Sequence, residues 1–160
     1  MTFEQSPHAA LDQIIRQARH VLISFDDPIR SAVTGNPAAH ISDVLTACRE
    51  SGRSAAIVAT TTPVAEVRAY LDAHDLPPYS TFIAPSIGVA VSAFEASPTD
   101  CVAITSSASD IEAARAAGVP AIAYAKTPDD ADHLLSAGAR AFIYSMTDLA
   151  LRLRSFNQEL

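Results

Sequence analysis

The chain has 160 residues, 49% of them hydrophobic and 18% charged, a balance too apolar for a disordered chain and of a length suited to one compact domain. Its formal charge of -7 argues against a nucleic-acid backbone or an anionic membrane as partner, since both require a basic surface. No apolar run approaches the roughly 20 residues that span a bilayer, and Met1 to His8 lacks the basic and apolar segments of a secretory signal, so a cytoplasmic location is expected.

Leu11, Ile14, Ile15 and Ala18 recur at helical spacing, which predicts a leading amphipathic helix over about Ser6 to Ala18, within residues 1–19, packed on the core. A first strand is expected at His20 to Phe25, ended by Asp26, Asp27 and Pro28. Ile41, Val44, Leu45 and Cys48 form the apolar face of a second helix, stopped by Ser51-Gly52. Ala55 to Ala59 reads as the second strand, followed by a helix capped by Thr62, with Pro63 in its first turn. Thr81 to Ala84 is a short third strand, and Ile87 to Phe94 is a weakly charged helix expected to be well buried. Cys101 to Thr105 is the fourth strand, with a helix to Ala117 that stops at Gly118. Pro120 opens a fifth strand through Tyr124. A helix over Asp129 to Ala137, a sixth strand at Ala141 to Tyr144 and a final helix around Leu149 complete the chain.

This alternation predicts a single α/β domain: a Rossmann-like three-layer α/β/α sandwich on a mostly parallel six-stranded sheet ordered six, five, four, one, two, three. In such sheets ligands bind beyond the carboxyl ends of the strands, where the winding direction switches. The candidate binding residues are therefore Ser24, Asp26, Asp27, Thr60, Thr61, Ala84, Ser106, Ser107 and Asp110. The hydroxyl clusters have two uses, holding an anion at a helix amino terminus or simply capping the helix. Cys48 and Cys101 have no metal-type spacing and are expected as buried thiols. Lys126, the chain's one lysine, follows the fifth strand and reads as a surface residue.

At the strand ends the sequence resembles the haloacid dehalogenase (HAD) superfamily, which carries four short motifs in this order. The first, Asp-x-Asp after an apolar strand, falls on Val21-Leu22-Ile23-Ser24-Phe25-Asp26, so Ser24 stands at the nucleophile and Asp26 keeps the second acid. Thr60 matches the second motif, a Ser or Thr. Ala84-Pro85 stands at the third, a lysine often before proline. The fourth, Gly-Asp-Ser-x-x-Asp, falls on Thr105-Ser106-Ser107-Ala108-Ser109-Asp110. The stretch from Asp110 to Pro120 also resembles the helix and turn after that motif, and the likeness runs from about Val21 to the end.

The resemblance implies an aspartate-nucleophile hydrolase or phosphatase fold whose chemistry has been removed. In intact relatives the first aspartate attacks, the second transfers protons and magnesium offsets the charge. Here the nucleophile and two of the magnesium-ligand positions fall on the neutral Ser24 and Ser106, while no Lys or Arg lies between Arg68 and Arg115 to serve as the third motif. No cofactor is therefore expected, magnesium belonging only to intact relatives. About 30 residues separate Asp26 from Thr60, enough for a loop and one helix but not for a folded cap. The expectation is a capless, non-catalytic pseudoenzyme that binds a protein partner, a second copy of itself or a small ligand through the open strand-end face. The alternative is a weakly active or atypical hydrolase using Asp26, with Thr60 or Ser106 as nucleophile.

Overall fold

A computed structural model describes residues 7–25, 37–60, 63–73 and 81–156. Helix α1 (Pro7–Gln17) leads into strand β1 (His20–Ser24), then α2 (Pro37–Glu50), β2 (Ser54–Val58), α3 (Val64–Ala73), β3 (Thr81–Ala84) and α4 (Ile87–Ala93). A short 3-10 turn at Pro98–Asp100 precedes β4 (Cys101–Thr105), α5 (Ala108–Ala116), β5 (Ala121–Tyr124), α6 (Pro128–Ser136), β6 (Ala141–Ile143) and α7 (Met146–Ser155). The six strands pair in parallel in the order β3-β2-β1-β4-β5-β6, as the alternation of elements predicts. The winding direction switches between β1 and β4, so their carboxyl ends form the crevice of a doubly wound sheet.

Each strand buries both faces, and the two faces differ in composition. Val21, Ile23, Ile57, Ile104, Ile122 and Ile143 pack against residues of α1, α2 and α7, including Leu11, Ile14, Ile15, Val44, Leu149 and Leu153. The opposite face is built largely of alanine: Ala56, Ala84, Ala103, Ala121 and Ala123 meet Ile87, Ile111, Ala114 and Leu134 of α4, α5 and α6. Small side chains on that face let the helices lie close to the sheet, at the cost of little apolar area per residue.

The leading helix buries the four residues that its spacing singles out, Leu11, Ile14, Ile15 and Ala18. Helix α4 departs from expectation. Only Ile87 and Ala90 are buried, while Gly88, Val89, Ser92 and Ala93 face solvent. The helix covers the β2 and β3 end of the sheet, so one narrow stripe packs and, among the described residues, nothing covers the rest. Low charge there reflects small residues rather than burial. Among the described residues, no helix is long and apolar enough to cross a membrane.

At the amino-terminal edge of the sheet, Arg53 is buried at 5% exposure and, among the described residues, pairs with no carboxylate. Its guanidinium donates to the carbonyls of Ile15 and Ala18 at the end of α1, at 2.8 Å each, and to those of Leu153 (2.9 Å) and Phe156 at the end of α7. Two helix carboxyl termini, each carrying partial negative charge, thus share one cation. Burial itself disfavours the charged form and lowers the Arg53 pKa. Burial also pushes the thiols up, Cys48 to about 12 and Cys101 to about 11, so both remain protonated packing groups.

Candidate functional site

The crevice between β1 and β4 is lined by hydroxyls that end otherwise apolar strands. Ser24 closes β1 opposite Val58 of β2, and Thr105 closes β4 one residue beyond Ile104, the partner of Ile23. Ser24 is 5% exposed and Thr105 fully buried. Both donate to the same carboxylate oxygen, Oδ2 of Asp110, from Ser24 Oγ at 3.1 Å and from Thr105 Oγ1 at 3.3 Å. Thr105 Oγ1 in turn accepts the Ser107 amide at 3.2 Å.

Local helix chemistry explains why Asp110 is present. Ser107 caps α5 by accepting the Asp110 amide, Thr127 caps α6 through Asp130, and Ser145 caps α7 through Asp148. Each capping hydroxyl is followed three residues later by an aspartate, which suits the positive end of the helix dipole. Asp130 reaches back to the Lys126 amide and Asp148 pairs with Arg152. Asp110 instead turns into the sheet and ties α5 to β1 and β4. Ser107 is thus a cap, the structural use of its hydroxyl cluster.

Ser106 lies beside this network, and its Oγ is buried with no hydrogen-bond partner among the described residues. Thr60 is exposed, two residues beyond the end of β2. Ala84 is fully buried beneath α4, with Ile87 and Ala90, and presents no surface to a ligand. Asp26, Asp27 and Thr61 lie outside the described residues. The fold thus brings together Ser24, Thr105, Ser106, Ser107 and Asp110, Thr105 being the first residue of the fourth-motif segment. The signal for Thr105 is a hydroxyl ending a wholly apolar strand beside β1.

Among the described residues, the crevice does not offer a donor set that fits a magnesium ion. Such an ion prefers several anionic oxygens, whereas Asp110 is the sole carboxylate in the described crevice and one of its oxygens already accepts two hydroxyl protons. Among the described residues, no three His, Cys, Asp or Glu side chains cluster closely enough to hold a metal. Among the described residues, the partner of the Ser24 hydroxyl is a carboxylate, a poor base towards an alcohol. His20, at the other end of β1, lies about 13 Å away at the usual rise per residue. Its ring stacks on Phe94 with centroids 4.6 Å apart.

This fold has counterparts among solved structures. A conserved haloacid dehalogenase-like protein of unknown function from Agrobacterium tumefaciens aligns over 70% of this chain with TM-score 0.58 and 24% identity; the chain spans 59% of that protein's length. A HAD subfamily III A hydrolase from Legionella pneumophila aligns over 93% of this chain and 90% of its own, with TM-score 0.62 and 11% identity. The fold is haloacid dehalogenase-like. A deoxy-D-mannose-octulosonate 8-phosphate phosphatase from Haemophilus influenzae, solved with cobalt, shares the HAD-like fold over 89% of this chain and 92% of its own, with TM-score 0.59 and 11% identity. No protein-family model and no curated protein matches the sequence. At these identities the likeness carries the HAD-like fold and leaves the chemistry to the residues of the crevice.

Proposed function

We propose that this HAD-like protein is non-catalytic and acts by binding, a pseudoenzyme whose ancestral reaction centre is closed by its own side chains. One observation carries the proposal: the Ser24 hydroxyl, at the nucleophile position of the resemblance, donates to Asp110 at 3.1 Å. A carboxylate at that position would be anionic and would hold a cation against Asp110. The neutral hydroxyl makes the same connection without one. Thr105 adds a second donor to the same oxygen, so that oxygen is satisfied within the protein.

Binding takes place on the strand-end face, by a protein partner or a second copy of the chain. Support comes from Tyr144, 48% exposed just beyond β6, and from Thr60 and Lys126, all on the carboxyl side of the sheet. The function rests on contact chemistry at this rim rather than on phosphoryl transfer, which needs positioned charge that these residues lack.

Magnesium titration by calorimetry tests the proposal. The expected result is no saturable binding by the wild-type protein at neutral pH. A saturable site that is lost in Asp110→Asn would overturn it. Sedimentation velocity over a range of concentrations, with Tyr144→Ser as comparison, examines self-association. A concentration-dependent shift reduced by the substitution favours the second copy, and a strict monomer leaves a different protein as the partner.

A further inference from the structure

At the opposite edge of the sheet from the strand-end crevice, a recess of about 180 Å³ is lined by Arg115, Gly118, Val119, Pro120, Ala121, Gly138 and Arg140. We propose that it is a binding site for a small oxyanion, the phosphate or carboxylate group of a metabolite, held between the guanidiniums of Arg115 and Arg140. Both arginines are exposed, and neither guanidinium makes a hydrogen bond or an ion pair among the described residues. Among the described residues no acidic side chain lines the recess, in a protein whose acids outnumber its bases by 18 to 11.

The fold brings both arginines to this recess. Arg115 lies in the last turn of α5, and its side chain runs across Gly138, where an added Cβ would come within 3.1 Å of Arg115 Cδ. Gly138, at φ +120 in the turn after α6, therefore leaves the room that the arginine stem occupies. Arg140 is anchored from its backbone, whose amide donates to the Ala121 carbonyl at 2.9 Å, at the start of β5.

Helix ends alone do not account for this pair. Helices α5 and α6 both finish here, and each carboxyl terminus contributes roughly half a negative charge, about one in total. Two guanidiniums supply two positive charges, so an excess of about one remains for a ligand. Arginine's planar fork matches the oxygens of phosphate and carboxylate, and two such forks on one recess favour a doubly charged group. The volume suits one anionic group rather than a whole nucleotide, since ligand pockets for larger molecules start at about 300 Å³.

The test is titration of the intact protein with inorganic phosphate, and separately with malonate, at constant ionic strength, following the arginine Nε–H signals by NMR. Saturable shifts of Arg115 and Arg140 are expected, with a dissociation constant raised at least ten-fold in Arg115→Gln and in Arg140→Gln. Arg68→Gln, an exposed arginine on α3, serves as the unaffected control. Circular dichroism verifies that each variant is folded. Saturation by phosphate alone assigns a phosphorylated ligand, and saturation by malonate alone assigns a carboxylate. If neither anion saturates these signals, or if the folded variants bind as the wild type does, the site does not exist.

Discussion

Replacing Ser24 with aspartate puts the proposed metal-free closure under direct strain. Ser24 Oγ lies 3.1 Å from Asp110 Oδ2 in a nearly buried setting, so Ser24→Asp sets one carboxylate against another. At about 4 Å and an effective dielectric of about 20, the repulsion is on the order of 4 kcal/mol. That is a large share of the 5–15 kcal/mol that holds a typical domain together. For a chain of this size, about 1 kcal/mol moves the melting temperature by roughly 2–4 °C, so a fall on the order of 10 °C is expected. Sharing of one proton relieves part of the repulsion, so the deficit should shrink as the pH falls from 7 towards 5. Thermal melts by circular dichroism in EDTA measure it. Adding Ser106→Asp completes an acidic cluster beside the unpartnered Ser106 position, and millimolar magnesium should then raise the melting temperature of the double variant, while leaving wild type unmoved. If Ser24→Asp melts with wild type in EDTA, the two side chains do not face each other. If the folded double variant ignores magnesium, the three positions do not converge, and the inference from their substitution fails.

Three further outcomes follow from the rest of the fold. Arg53→Met removes the donor shared by four carbonyls of α1 and α7 and should cost about 3 kcal/mol or more, read from urea unfolding; a loss below about 1 kcal/mol would show that water replaces it. Burial lowers the His20 pKa, against the attraction of Asp100, so below pH 6.5 the unfolded chain takes up this proton before the folded one does. Stability should fall as the pH drops from 6.5 towards the folded-state pKa, and His20→Phe should flatten that part of the profile; an unchanged slope contradicts the assignment. Glu95 follows α4 at φ 52, a left-handed conformation that favours glycine, so Glu95→Gly should stabilise by about 0.5–1 kcal/mol in the same assay, and a loss would show that the Glu95 side chain contributes more than the strain costs.

The strand order was legible because every strand is a short apolar run followed by helix-capping chemistry, and parallel crossovers leave few ways to connect such units. The leading helix was legible residue by residue, since Leu11, Ile14, Ile15 and, just past its end, Ala18 are all buried. Helix α4 was not, because a run of small apolar residues looks the same whether it lies under other elements or over one end of a sheet. Arg53 was not legible either. Between Gly52 and Ser54 it reads as a turn residue, and only the meeting of two helix ends, more than a hundred positions apart at the far contact, gives it a role. In the crevice, sequence order supplied the members but not their contacts: Ser24 and Asp110 are 86 residues apart, and nothing local indicates that one donates to the other. Ala84 shows the limit from the other side, since its place in a motif says nothing of its burial beneath Ile87 and Ala90.

The central claim is that the wild-type protein has lost phosphoryl-transfer chemistry while keeping the HAD-like fold. Its most direct test is phosphate release from generic phosphomonoesters by the purified wild-type protein with magnesium, alongside Asp26→Asn. The expected result is no release above the protein-free rate for either. Turnover by wild type that Asp26→Asn abolishes would contradict the account and assign the reaction to the retained acid of the first motif.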